Sequence, residues 1–101
     1  MVKIIWTKRA FNQFERLVKY IREEQGLSYA RIVHEKIIQA VNNLVEFPLL
    51  GTIEPALAHK KSEYRYLIVW SLKIIYKVDI NKITISRIFH TSQNPKKLKG
   101  V

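Results

Sequence analysis

Two lysines, an arginine and a histidine in the second half of the chain carry the side chains that chemistry on a phosphodiester requires. Lys73, Lys77 and His90 lie in β-like segments, and Arg65 lies in the segment before them. Cations hold phosphate groups and stabilise the negative charge that develops on phosphorus, while an imidazole takes or gives a proton near neutral pH. These residues are therefore candidates for binding or cleaving a phosphodiester. The alternative is an ordinary solvated sheet face, on which lysines prevent pairing between edges.

Three short segments rich in Ile, Val, Tyr and Thr would position these candidates as β-strands. They run over Tyr64–Trp70, Leu72–Val78 and Ile83–His90, and Asp79–Lys82 has turn chemistry. The turn near Ser71 has no Gly or Asn to mark its position. Because the links between the segments are short, the pattern predicts an antiparallel meander.

Alternation along these strands predicts which side chains share a face of the sheet. The inward face would consist of Leu72, Ile74, Tyr76, Val78, Ile83, Ile85 and Phe89. The opposite face would carry Lys73, Lys77, Thr84, Ser86 and His90 together. Arg87 contradicts this pattern, since its parity places a charged side chain inside. We expect a bulge at Arg87 or a side chain that reaches the edge of the sheet.

The first half of the chain predicts a strand and a helix. Val2–Trp6 is β-branched and aromatic, as strands commonly are. Apolar residues then recur at three- and four-residue steps from Lys8 to about Gln25, with Thr7 as the cap of an amphipathic helix. Gly26 supplies the left-handed conformation that commonly ends a helix.

A second helix would begin with Ser28 as its cap and continue to about Phe47, where Pro48 ends it. The short link around Gly26 predicts that the two helices form an antiparallel hairpin. Residues 48–63 have no sustained period and indicate a loop. We therefore expect an α+β fold, in which an N-terminal strand and an antiparallel two-helix hairpin precede an antiparallel meander sheet that packs on the helices.

Length and charge limit the classes to which the chain can belong. Its 101 residues indicate a single domain, expected over residues 1–95, followed by a basic tail over residues 96–101. The net charge is +10, and most of it falls in the second half, so the partner should be a polyanion or an acidic protein. The chain has no cysteine, no apolar stretch of ~18 residues and no export signal, which predicts a cytoplasmic protein without a membrane span.

The sequence lacks the motifs of nucleotide-binding proteins, zinc proteases and serine hydrolases. Its three histidines, His34, His59 and His90, are far apart along the chain. Because a metal site needs several ligands close together, we expect neither a metal ion nor another cofactor.

Further basic and aromatic residues are candidates for contact with RNA. The basic candidates are Lys60, Lys61, Lys77, Lys96 and Lys97. For the last two, a frayed soluble tail is the alternative. The candidates for stacking on bases are Tyr64, Tyr66, Trp70 and Tyr76. Packing in the core or at an interface is the commoner role of such aromatic residues.

The order of these signals along the chain resembles the RelE/ParE superfamily of toxins. The features that carry the resemblance are the Ile4–Trp6 strand, the helical hairpin, Phe47-Pro48 followed by Gly51 and Pro55, Tyr64-Arg65, the Lys73–Val78 strand, and Ile83–His90 followed by Asn94-Pro95. The resemblance covers about Ile4 to Pro95. It implies two helices against an antiparallel sheet, as the periodicity also predicts.

The resemblance implies that the protein is the toxin of a bacterial type II toxin–antitoxin module, also described as a plasmid stabilisation system. A cognate acidic antitoxin would hold this toxin inactive. RelE-like members cleave mRNA in the ribosome with basic residues, and sometimes His or Tyr, on the concave sheet face. ParE-like members inhibit DNA gyrase without known catalytic residues. The target is therefore ribosome-bound mRNA or DNA gyrase. The alternative is a non-toxic basic module of the same fold that binds RNA or an acidic protein.

The resemblance also implies catalytic roles for three residues if the protein is an mRNA interferase. Arg65 matches a basic residue that follows a tyrosine in RelE-like enzymes, Lys73 replaces their arginine, and His90 lies where several relatives carry a catalytic base or acid. Leu67 stands where those enzymes have a second lysine, and no tyrosine follows His90. The long helices and the loop from Pro48 look closer to the ParE-like branch.

Overall fold

The computed structural model describes residues 2–91, which form two helices and one five-stranded sheet. The elements are β1 (Lys3–Trp6), α1 (Lys8–Gln25), α2 (Leu27–Asn42), β2 (Thr52–Ile53), β3 (Glu63–Val69), β4 (Leu72–Asp79) and β5 (Lys82–His90), with short 3₁₀ turns at Asn43–Val45 and Pro55–Leu57. The predicted α+β fold is confirmed. The basic tail over residues 96–101 lies outside the described residues.

The two helices form a hairpin that Gly26 alone connects. The Thr7 side chain caps α1 by accepting a hydrogen bond from the Ala10 N–H at 3.0 Å. Gly26 has a φ of 95°, which lets the chain leave α1 and enter α2 at once. Ser28 therefore lies inside α2 rather than capping it, and the prediction of its role is wrong. Within residues 2–91, neither helix combines the length and the apolar character that crossing a membrane requires.

The sheet has the strand order β1-β5-β4-β3-β2. The pairs β3–β4 and β4–β5 are antiparallel, as the meander prediction requires, and β2 extends the sheet antiparallel to β3. β1 lies parallel to β5, so the start of the chain is at the edge beside the last described strand. The segment predicted as a loop over residues 48–63 contains β2 and the Pro55–Leu57 turn.

One face of the sheet packs on the helices and forms the main core. This helix face contributes Leu72, Ile74, Tyr76, Ile83, Ile85 and Ile88, each at most 5% exposed. The helices contribute Ala10, Phe14, Val33, Ile37 and Val41. Burial of these apolar side chains is the principal stabilising term of the fold.

A β-bulge in β5 changes which side chains share a face. Ile75 pairs with Arg87 and Tyr76 pairs with Ile85, so Ser86 is the extra residue. Beyond Ser86 the alternation is reversed. Phe89 therefore lies opposite Lys73 on the face away from the helices, and His90 lies opposite Leu72 on the helix face. The predicted faces of Phe89 and His90 are wrong, because strict alternation does not hold across a bulge, whereas the bulge expected at Arg87 is confirmed at the preceding residue.

The face away from the helices is called the open face below. Pairing and alternation place on it Lys3, Ile5, Tyr64, Tyr66, Ile68, Lys73, Ile75, Lys77, Asp79, Lys82, Thr84, Arg87 and Phe89. One part of this face is covered, because Leu57 of the 3₁₀ turn packs on Ile75 and Phe89. Tyr64 and Tyr66 pack against the same small cluster. The cluster around Leu57 does not include the strand residues of the open face that lie nearest to β1.

Candidate functional site

Lys73 lies on the open face and forms an ion pair with a carboxylate. Its Nζ is 2.5 Å from Glu54 Oε1, and the same atom lies 4.3 Å from the centroid of the Tyr66 ring. The Lys73 side chain is 23% exposed, whereas that of Glu54 is 2% exposed. The Glu54 carboxylate therefore compensates the charge that would make Lys73 attractive to a phosphate.

Glu54 is a site residue that the sequence reasoning missed. Its Oε2 accepts a hydrogen bond from the Ala56 N–H at 3.2 Å, which caps the 3₁₀ turn that begins at Pro55. Its own N–H donates to the Tyr64 carbonyl at 2.9 Å, which continues the pairing between β2 and β3. A glutamate followed by Pro55 in an aperiodic segment is the local signal for such a cap. Nothing in that signal identifies Lys73 as its partner.

Arg65 faces the helix side of the sheet and fastens the loop before β2. Its Nη1 donates to the Gly51 carbonyl at 2.7 Å, and its Nε donates to Glu63 Oε2 at 2.6 Å. Pairing places Arg65 opposite Tyr76, which belongs to the helix face. The Arg65 side chain thus binds the Gly51 carbonyl and the Glu63 carboxylate, on the face of the sheet opposite to Lys73.

Tyr76 anchors the same loop from inside the core. Its hydroxyl accepts a hydrogen bond from the Gly51 N–H at 2.8 Å and donates to the Pro48 carbonyl at 3.0 Å. Burial raises the pKa of Tyr76 above its ordinary value of 10.0, although the hydrogen bond from Gly51 and the charge of Arg65 act in the opposite direction. Tyr76 is therefore a structural residue rather than a surface for bases.

His90 lies at the end of β5 beside a groove of about 550 Å³. The groove runs between the helices and the turn that joins β3 to β4, and Arg16, Tyr20 and Trp70 contribute to its lining. The Trp70 ring stacks on Tyr29 with centroids 5.7 Å apart. His90 thus faces a groove on the helix side and does not share a surface with Lys73.

Arg87 is a second site residue that strict alternation misplaced. It is 6% exposed on the open face, and its Nη1 donates to the Ser86 carbonyl at 2.7 Å. Among the described residues, its Nε has no hydrogen-bond partner and no carboxylate lies within ion-pair distance of it. Burial lowers the pKa of Arg87, the charge of Arg9 lowers it further, and Tyr64 acts in the opposite direction.

The three catalytic candidates do not meet. Lys73 is on the open face, whereas Arg65 and His90 are on the helix face, opposite Tyr76 and Leu72 of β4 respectively. Four residues of a strand separate those partners by roughly 13 Å along the strand direction. General acid–base catalysis needs groups within hydrogen-bond reach of one reacting centre. No such centre joins these three side chains.

The basic candidates for RNA are distributed over several places. Lys77 lies on the open face, with its Nζ 3.8 Å from Asp79 Oδ2. Lys60 and Lys61 are exposed just after the 3₁₀ turn that covers part of that face. Lys96 and Lys97 lie outside the described residues. Among residues 2–91, no group of three or more His, Asp or Glu side chains is arranged to hold a metal ion.

Solved structures of other proteins share this arrangement of helices and strands. A chain of the chromosomal ParDE system from P. aeruginosa matches with a TM-score of 0.71 and 20% identity, over 89% of this chain and 96% of that one. A chain of the YoeB dimer from Staphylococcus aureus matches with a TM-score of 0.53 and 20% identity, over 88% of this chain and 97% of that one. At this identity the likeness shows the fold alone.

A match of the amino-acid sequence to a family model shows the protein family. Residues 4–95 match the family model described as the ParE toxin of the type II toxin–antitoxin system parDE. The chain belongs to this family of toxins, and membership implies an antitoxin partner. A comparison with curated protein sequences finds no significant match. The predicted resemblance to the RelE/ParE superfamily is thus confirmed.

Proposed function

We propose that this toxin stops growth by binding DNA gyrase, in the manner expected of ParE-like members, and that it does not cleave mRNA. The observation that carries the proposal is the separation of the catalytic candidates. Lys73 is ion-paired with a buried carboxylate, and Arg65 and His90 lie on the other side of the sheet. A toxin that acts by binding requires no assembled acid and base.

The surroundings of Lys73 support the same proposal. Its neighbours across the ladders are Phe89 and Ile68, whose apolar side chains neither accept nor donate a proton, and the titratable groups beside it, Glu54 and Tyr66, are held by the ion pair and the cation–π contact. No histidine lies on the open face of the five described strands. The match to the ParE family model adds weight, since the notable alternative, mRNA cleavage, belongs to the RelE-like branch.

Parallel assays of supercoiling and translation test this proposal. Purified toxin is titrated into gyrase with relaxed plasmid and ATP, and into a cell-free translation reaction. We expect supercoiling to fail at toxin concentrations that leave the mRNA intact. Cut mRNA in the translation reaction, with normal supercoiling, would overturn the proposal and favour an interferase.

Two variants make the test sharper. His90→Ala removes the imidazole, and Lys73→Arg preserves the charge that pairs with Glu54. His90→Ala should remain as toxic as the parent when expressed without antitoxin, because the imidazole performs no chemistry in the proposal. Lys73→Arg, which introduces the arginine of RelE-like enzymes, should not gain mRNA cleavage. A folded His90→Ala protein that has lost toxicity and mRNA cleavage together would assign catalysis to His90. Unimpaired growth with the parent protein, soluble and folded, would favour the non-toxic binding module.

A further inference from the structure

The part of the open face nearest β1 carries a lysine patch, defined as Lys3, Lys77 and Lys82. Lys3 lies directly opposite Lys82 across the β1–β5 ladder. Lys77 lies opposite Thr84, which is the next residue after Lys82 on the same face. Lys3 and Lys82 are exposed, and the Lys77 side chain is 30% exposed. The register of three strands thus brings together cations that are far apart in the sequence.

The strands provide little negative charge to compensate the lysines of this patch. Like charges directly opposite each other across a ladder destabilise a sheet. Asp79 is the acidic residue of the described strands on this face, and it lies opposite Lys82 with its carboxylate 3.8 Å from Lys77 Nζ. On this face the strands therefore provide one carboxylate against the three ammonium groups of the patch. The fold tolerates a repulsion that a polyanionic partner would relieve.

Arg87 adds a positive charge to the open face, and Arg9 lies near Arg87. Arg87 lies on the open face, is buried and has no carboxylate within ion-pair distance among the described residues. Arg9 is close enough for its charge to lower the Arg87 pKa. Charges in a poorly solvated position are screened less than exposed ones.

The composition of the patch distinguishes among polyanions. Single-stranded nucleic acids bind to surfaces where aromatic side chains stack on bases. Here Tyr64, which lies opposite Lys77, packs with Tyr66 against the small apolar cluster around Leu57, and the residues between the lysines are Ile5 and Thr84. A protein partner would be expected to bury an apolar centre, and the exposed apolar side chains beside these lysines are the separate Ile5 and Ile80. Lysine side chains whose neighbouring tyrosine is packed in this way suit the sugar–phosphate backbone of a duplex.

We infer that the lysine patch docks on the backbone of duplex DNA, with no reading of base sequence. The inference rests on the proposed function and extends it, because gyrase holds duplex DNA while it works. The toxin would then contact the enzyme and the bound DNA together. The phosphates of the DNA would neutralise the charge of the lysines that the single Asp79 carboxylate neutralises only in part.

A charge-matched pair of variants tests the inference with DNA alone. The patch variant is K3Q/K77Q/K82Q, and the control is K19Q/R31Q/K36Q, whose three positions are exposed on the helices. Both lose the same net charge. Binding to a short labelled duplex is measured by fluorescence anisotropy between about 50 and 200 mM salt. We expect the patch variant to lower the slope of log affinity against log salt by about 2 to 3, and the control to change it far less.

Several outcomes would overturn the inference. Equal losses in the two variants would show that net charge alone attracts DNA, and unchanged binding in the patch variant would place the contact elsewhere. Preference of the parent for single-stranded RNA over the duplex would also contradict it. A K3R/K77R/K82R variant should keep the parent slope, which separates loss of charge from loss of fold. Circular dichroism must show the same fold in all variants.

Gyrase inhibition is measured separately, so that failure of the proposed function remains distinguishable. If the parent does not inhibit supercoiling, the proposed function fails, whatever the DNA result. If the parent inhibits gyrase and the patch variant binds DNA weakly, we expect its inhibition to weaken at least about tenfold, a change of about 1.4 kcal/mol. Undiminished inhibition by that variant would contradict a role of the patch on gyrase-bound DNA.

Discussion

Replacing Lys73 with methionine should destabilise the fold more than replacing Glu54 with glutamine, although both changes break the same ion pair. The Glu54 side chain is 2% exposed and the Lys73 side chain is 23% exposed. In Lys73→Met the carboxylate stays buried and retains a hydrogen bond from the Ala56 N–H at 3.2 Å. In Glu54→Gln the amide oxygen can keep that bond, and the ammonium group can reach water.

The magnitudes follow from this difference in burial. Removing one partner of a buried ion pair costs about 3 to 5 kcal/mol, and partial exposure of Lys73 favours the lower end, about 3 kcal/mol. Glu54→Gln leaves no isolated buried charge and should cost about 1 kcal/mol. In a domain of this size each kcal/mol lowers Tm by about 4 to 8 °C, so Lys73→Met should lose roughly 12 °C or more.

Urea-induced unfolding, followed by far-UV circular dichroism, measures these losses. The double variant Glu54→Gln with Lys73→Met should be less destabilised than the sum of the single variants, because the carboxylate that lacks a partner is no longer present. Equal losses in the single variants, or a loss below about 1 kcal/mol in Lys73→Met, would refute the reasoning. The same result guides the functional assays, since loss of toxicity in a variant that breaks this ion pair indicates catalysis only if the variant remains folded.

Three further changes test the loop anchor and the bulge. Tyr76→Phe removes two hydrogen bonds and should cost about 1 to 2 kcal/mol in urea unfolding at neutral pH. Because burial raises the Tyr76 pKa, the parent should lose stability as pH rises from 10.0 through the folded-state value, and Tyr76→Phe should lack that loss in a pH series of unfolding curves. In Gly51→Ala the new Cβ would lie 2.5 Å from the Tyr66 carbonyl oxygen and 2.7 Å from Tyr76 Oη, so calorimetry should show a loss of about 2 kcal/mol or more. Deleting Ser86 removes the extra residue and leaves Ile85 opposite Tyr76 and Arg87 opposite Ile75, so the cooperative thermal transition should be retained; its loss would contradict the register.

The elements of the fold were predictable because they repeat a period. The apolar steps of α1 predicted Lys8–Gln25, and the observed helix has these bounds with the expected cap at Thr7. The strands β3 to β5 lie within a residue or so of the predicted segments. Local composition also marked Gly26 as the break between the helices. Each of these features depends on residues that are close together in the sequence, so the local pattern of residue types is enough to predict it.

The candidate site was less predictable because its contacts join distant segments. Glu54 lies in a stretch without a period, and only the folded chain brings its carboxylate to Lys73. The juxtaposition of Lys3 and Lys82 depends on a parallel pair between the first and the last described strands. Composition predicted a basic surface but not where those charges meet.

The bulge at Ser86 lies where the partner of β5 at this edge changes from a strand to a helix. β1 pairs with β5 as far as Trp6 and Ile85, and then α1 begins. From there the helix replaces the strand as the partner of β5. The Thr7 hydroxyl donates to the Ser86 carbonyl at 3.3 Å.

Six residues after Thr7, on α1, Gln13 Oε1 accepts from the Ile88 N–H at 2.9 Å. A free strand edge invites pairing with other chains, and these side chains remove that opportunity. The extra residue reverses the alternation beyond it. It therefore places His90 on the helix face beside the groove and leaves Arg87 on the open face. The bulge thus separates His90 from Lys73, whereas Arg65 lies on the helix face, opposite Tyr76, through the ordinary alternation of β3 and β4.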